Sequence, residues 1–173
     1  MRKLALVPLA ALLGMATGCG YHTLGSATHL PPTVRTLSVP LFQTRTEAYH
    51  TETLMTQAVI REFAARTRLR VTPSADGDPD ATLHGTILQQ QVLPLTFNAD
   101  TQQSSSYVIT VVASVTLTAR DGRVLYENKN YVFRQQFQAT TDLSTFLDES
   151  PAAEERLSRD FASQLVADVL ESL

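Results

Sequence analysis

Between residues 107 and 119 the chain alternates without a break: Tyr107, Ile109, Val111, Ala113, Val115, Leu117 and Ala119 share one parity, while Thr110, Ser114, Thr116 and Thr118 dominate the other. Side chains on a strand point to opposite faces with a period of two, so this pattern dictates a strand with one buried face and one mostly polar face. Val108 and Val112 make the second face partly apolar. Asp121 and Gly122 follow directly, a pair favoured in short hairpins because glycine adopts positive φ at no steric cost. Residues 123–138 are therefore predicted to run back antiparallel, with a bulge or a split where the parity blurs over 127–130.

A sheet with one apolar face needs a cover, and two segments have the period of one. Leu54, Met55, Ala58, Val59, Ile60 and Phe63 form a helical stripe between about residues 49 and 66. Leu157, Phe161, Leu165 and Val169 recur every four residues, flanked by Ala162, Val166 and Leu170. Ser150 and Pro151, followed by Glu154 and Glu155, read as the capped start of that second helix.

Other strands are expected at residues 34–42, where Pro40 marks an end or an edge, in a short piece around Leu69 and Val71, and at 81–97. In the last of these, Leu83, Gly85, Ile87, Gln89, Gln91, Leu93, Leu95 and Phe97 share one parity, apolar at both ends and polar in the middle. Residues 43–47 are expected as an exit loop and 98–106 as a polar hairpin tip. The fold class is α+β: a two-layer sandwich of two amphipathic helices on one face of a mostly antiparallel or mixed four-stranded sheet.

The N-terminus reads as an address. Arg2 and Lys3 precede an apolar run over residues 4–13, too short to cross a bilayer and interrupted by Pro8, and Ala16, Thr17 and Gly18 lead to Cys19, the one cysteine of the chain. This resembles the bacterial lipobox, in which cleavage before the cysteine is followed by its acylation. Ala16 departs from the leucine more usual there. The expected organisation is a signal peptide over 1–18, a lipidated tether over 19–33 rich in Gly, Ser, Thr and Pro, and a single domain over 34–173. Gly20 after the cysteine points to the outer membrane. Loss of Arg2 and Lys3 takes the formal charge from −3 to −5.

That acidic balance argues against a nucleic-acid partner, and a single cysteine excludes a disulfide framework or a multi-thiolate metal centre. His22, His29, His50 and His84 are isolated, with no paired metal-ligand spacing, and His84 is expected on the exposed face of its strand. Asp76, Asp78 and Asp80 imitate the start of a calcium loop, but Ala81 and Ile87 stand where glycine and glutamate are needed. No P-loop, nucleophile elbow or dinucleotide fingerprint is found, so neither an enzyme nor a bound cofactor or metal is expected. Arg61, Arg66, Arg68 and Arg70 read as a solvated helix end. Arg120, Arg123, Lys129 and Arg134 around the hairpin are candidate phosphate ligands, because guanidinium forks and ammonium groups suit phosphate oxygens; Arg120 and Arg123 flank one turn, whereas Lys129 and Arg134 differ in parity.

Several stretches together carry a family likeness: Cys19, Gly20, Tyr21 and His22, VRTLSVPLFQTRT at 34–46, AVIREFAARTRLRV at 58–71, residues 115–133, and SRDFASQLVADVLE at 158–171. The chain resembles the LptE family of lipopolysaccharide-assembly lipoproteins across nearly all of its mature length. The resemblance implies an outer-membrane lipoprotein that lodges in the LptD β-barrel as a plug, assists its assembly and helps deliver lipopolysaccharide to the cell surface. Arg120, Arg123 and Lys129 are then the residues expected to touch lipopolysaccharide. A different reading of the same anchor and fold is a general periplasmic lipoprotein that binds a cell-wall enzyme or another envelope partner.

Overall fold

The computed structural model describes residues 31, 33–46, 50–74, 77–98, 103–138 and 143–172, with 96–98, 103–105 and 143–149 described by backbone alone. The expected signal peptide, Cys19 and most of the tether lie outside the described residues. In chain order the elements are β1 (Thr36–Ser38), β2 (Gln43–Thr44), α1 (Thr51–Arg66), β3 (Arg70–Thr72), β4 (Ala81–Asn98), β5 (Gln103–Ala119), β6 (Val124–Gln138) and α2 (Leu143–Glu171).

The alternating segment is β5, the middle of three long antiparallel strands. The sheet runs β3-β1-β4-β5-β6, with β1 parallel to both neighbours and β2 parallel to β4. Both helices cover one face, and the core between the layers joins Leu37, Leu83, Ile87, Val111, Val115 and Leu117 of the sheet to Met55, Val59, Phe63, Phe161 and Leu165 of the helices. The α+β two-layer architecture is as expected, but the sheet has six strands, not four.

One of the two further strands is β3, the short piece expected around Leu69 and Val71; the other, β2, comes from Pro40. With no amide proton at that position the predicted 34–42 strand cannot continue, and the chain crosses from β4's first residues to Thr86 and Ile87, where Gln43 and Thr44 pair in place of an exit loop. At this crossing the Phe42 amide donates to Thr56 Oγ1 on α1 (2.9 Å), and Thr56 donates in turn to the Glu52 carbonyl (2.6 Å). The Phe42 ring then lies over Gly85, where a Cβ would overlap it.

Three further expectations are corrected. The single parity predicted for β4 breaks at a bulge between Ile87 and Gln89, so that Gln90 takes the place opposite Val111 on the helix side while Gln89 and Gln91 are exposed. The predicted polar tip over 98–106 is largely strand, since Asn98 pairs with Gln103 and Ser106 with Thr96. The second helix starts at Leu143, not at Ser150, and Pro151 lies within it. The helix continues through Pro151 although the proline lacks the amide donor and its ring crowds the carbonyl four residues earlier.

The hairpin forms where Asp-Gly places it, with three residues in the loop. Gly122 has φ +85°, its amide donates to the Ala119 carbonyl (2.9 Å), and the Ala119 amide donates to the Arg123 carbonyl (2.8 Å). The blurred parity of β6 is a register shift within one strand, between Tyr131, opposite Ala113, and Asn128, opposite Val115.

Candidate functional site

The hairpin loop between β5 and β6 meets the start of β1 and the turn before β4 at one end of the sheet, and Asp80 joins all three. Its Oδ2 accepts from the Arg35 amide, the Thr36 amide and Thr36 Oγ1, each at 2.9 Å, and its Oδ1 lies 3.0 Å from Arg120 Nη2. The backbone donation from Arg35, reinforced by Thr36 and by the Arg120 charge, holds the Asp80 carboxyl below its ordinary value. An open cleft of about 330 Å³ lies here, lined by Pro31, Thr33, Val34, Asp80, Arg120 and Arg123, among others.

The candidate phosphate ligands differ in what holds them. Arg120 is committed locally: Nε lies 3.2 Å from Asp78 Oδ2, and the guanidinium donates to the Pro79 and Asp78 carbonyls as well as to Asp80. Arg123 lies 3.7 Å from Asp121, and Lys129 lies 3.3 Å from Glu127, with side chains 67% and 77% exposed, so these are loose surface pairs that water and salt can exchange. The structure brings Arg120 and Arg123 to the same loop. Lys129 stands six residues further along β6, roughly 20 Å away at ~3.3 Å per residue.

Of the three aspartates singled out in the sequence, Asp78 and Asp80 serve Arg120, and Asp76 lies outside the described residues. His84 is on the exposed face of β4. Among the described residues no group of three His, Cys, Asp or Glu side chains converges as a metal site, and no helix is long and apolar enough to cross a membrane.

Two polar clusters between the layers were not read from the sequence. The β4 bulge turns Gln90 towards α2, where its Nε2 lies 3.5 Å from Glu154 Oε1, and Thr51 Oγ1 at the start of α1 lies 3.4 Å from Glu154 Oε2. Burial raises the Glu154 carboxyl above its ordinary value, against smaller opposing effects of Thr51 and His50. In the other cluster Tyr131 of β6 donates to Asp168 Oδ2 of α2 (2.7 Å), shares a hydrogen bond with Tyr126, and is joined at Asp168 by Gln164 (2.6 Å). Burial and the bonds to Tyr126 and Asp168 keep the Tyr131 phenol protonated far into the alkaline range. Nothing local in the sequence marks the contacts that join the layers, because Gln90–Glu154, Thr51–Glu154 and Tyr131–Asp168 each link residues more than 30 positions apart.

The outward face of the long hairpins is rich in hydrogen-bonding side chains. Gln89, Gln91, Arg134 and Gln136 are exposed there, with Leu93 and Val132 between them at 53% and 39% exposure.

Among solved structures, the chain is similar to a lipoprotein from Caulobacter crescentus CB15 (TM-score 0.54, 10% identity, covering 76% of this chain and 87% of that one). It is also similar to lipoprotein B from Nitrosomonas europaea (TM-score 0.53, 12% identity, covering 82% and 88%). At these identities the likeness is one of fold. No curated protein sequence matches the chain. The model of the family described as LptE, lipopolysaccharide-assembly, matches residues 34–169, from the entry into β1 almost to the end of α2, and the chain therefore belongs to the LptE family.

Proposed function

We propose that the protein is an outer-membrane lipoprotein, acylated at Cys19, that plugs the LptD β-barrel, assists its assembly and helps deliver lipopolysaccharide to the cell surface. The observation that carries this reading is the family match over residues 34–169. Its action is non-enzymatic: it binds, fills and holds. The polar outer face of β4–β6 supports it physically, since a wide barrel has a polar lumen and a plug must exchange hydrogen bonds with that lining.

Lipopolysaccharide phosphates are met by Arg120, Arg123 and Lys129 in this reading. Arg123 and Lys129 can leave their loose carboxylate partners for a phosphate, whereas Arg120 contributes charge while it remains bound to Asp78 and Asp80.

Purification of the tagged full chain from native membranes in mild detergent tests the assignment. A large outer-membrane barrel in near-stoichiometric amount, with lipopolysaccharide in the same fraction, is the expected result. Recovery of the lipoprotein alone, or with a cell-wall enzyme, overturns the plug assignment.

A further inference from the structure

Among the described residues, three arginines at the end of the sheet where the chain enters the domain have no carboxylate partner. Arg35 precedes β1, Arg70 opens β3 and Arg68 lies two residues before it; all three are exposed. The Arg70 amide donates to the Arg35 carbonyl (2.9 Å) and Thr36 is the register partner of Arg70, so the parallel β1–β3 pairing brings the backbones of Arg35 and Arg70 together at the sheet end, their side chains leaving it from opposite faces. Among the described residues no carboxylate lies within ion-pair distance of any of the three. They are not caps of α1 either: that helix ends at Arg66, whose guanidinium is held by Glu62 (2.6 Å) and Ser163 (2.8 Å).

The nearby aspartates are already occupied. Asp80 is filled by two amides, a hydroxyl and Arg120, Asp78 faces Arg120, and Asp121 faces Arg123. This end of an otherwise acidic chain is therefore locally basic. It is also the end nearest the tether: the Val34 amide donates to the Pro31 carbonyl (2.9 Å), and Pro31 and Thr33 line the cleft beside Asp80. The 15 residues from Cys19 to Thr33 span at most about 50 Å when extended and ~20 Å as a flexible coil. An acyl anchor at Cys19 holds this end, before any other part of the domain, near the headgroups.

We propose that Arg35, Arg68 and Arg70 form a docking surface for the phosphates of an anionic phospholipid bilayer, the second attachment of the domain to the membrane that carries its anchor. The proposal rests on the reading that Cys19 is acylated. Guanidinium forks pair with phosphate oxygens, and basic groups at an anionic surface each add about fivefold to partitioning. The role of such a surface is orientation: it presents this end of the sheet, with the β5–β6 loop, to the bilayer and leaves the opposite ends of β4 and β5, at Asn98 and Gln103, pointing away.

The chain from Gly20 onward, which contains every described residue and the whole core, separates this surface from the acyl chains. Its flotation is measured with vesicles of phosphatidylcholine alone and with vesicles containing 30% phosphatidylglycerol, at low salt and at 0.5 M salt. Binding to the anionic vesicles alone, lost in salt and lowered about a hundredfold in R35Q/R68Q/R70Q but not in R61Q/R156Q/R159Q, is the expected result. Equal binding to both vesicles, no binding to either, or equal loss in the two triple variants overturns it. Mass spectrometry of the N-terminal peptide from membranes tests acylation separately, so a free Cys19 defeats the anchor without deciding the lipid selectivity of the arginines. Circular dichroism of each variant establishes that it is folded.

Discussion

Arg120 Nη2 and Asp80 Oδ1 lie 3.0 Å apart, and that contact joins the β5–β6 loop to the turn before β4 across forty residues. Asp80 also holds the start of β1 through Thr36. One carboxylate thus fixes three segments around the cleft, and an arginine suited to phosphate already has internal partners.

Asp80→Asn is expected to lower the melting temperature at pH 7. The parent's Asp80 value is depressed, so its contribution is complete above the ordinary 3.8 and disappears as the pH falls through the lowered value. Melting curves from pH 7 down to pH 2 should show the parent and the variant converging only at the acid end. A pH-independent difference sinks the argument.

Gly85→Ala is expected to destabilise by about 1–3 kcal/mol, because the added Cβ enters the space of the buried Phe42 ring, which is itself packed edge-to-face on Phe161. Phe42→Leu in the same chain should recover part of that loss. Urea titrations of the two single variants and the double variant measure the coupling, and additive effects would rule out this contact as the cause.

Glu154→Gln should stabilise the fold at pH 7.5 and have little effect at pH 4. Below the ordinary value of 4.5 the carboxyl is protonated in both states; above it the unfolded chain ionises first, and the fold loses stability until the pH passes the raised value. Differential scanning calorimetry at the two pH values checks the sign, which is opposite to that for Asp80.

Tyr131→Phe removes the donor to Asp168 and should cost about 1 kcal/mol near pH 7. The folded phenol stays protonated above the ordinary 10.0, so the parent should lose stability more steeply than the variant as the pH rises past that value. Parallel slopes in alkaline melting curves would contradict the buried hydrogen bond.

For lipopolysaccharide binding, Arg123→Gln and Lys129→Gln should each weaken association severalfold while leaving the melting temperature within a degree or two, as expected for exposed pairs. Arg120→Gln should lower both binding and stability, because Asp78 and Asp80 lose their cation. Titration with purified lipopolysaccharide alongside thermal melts separates the two effects; unchanged binding in Arg123→Gln and Lys129→Gln removes those residues from the site.

The alternation from Tyr107 to Ala119, the Asp121-Gly122 reversal and the stripe through Leu157, Phe161, Leu165 and Val169 were legible in the sequence because each follows from backbone geometry within a few residues. They determined the two layers, the buried face of β5 and the helices that cover it. The β4 bulge, the strand broken at Pro40, the early start of α2 and the pairing of Arg120 with Asp80 were decided only by the tertiary structure. Their physical cause lies in partners distant along the chain: a bulge is set by the register of the neighbouring strand, and an ion pair by which loops the sheet brings together. A period in the sequence specifies which side of an element is buried, whereas only packing specifies what each polar group on it meets.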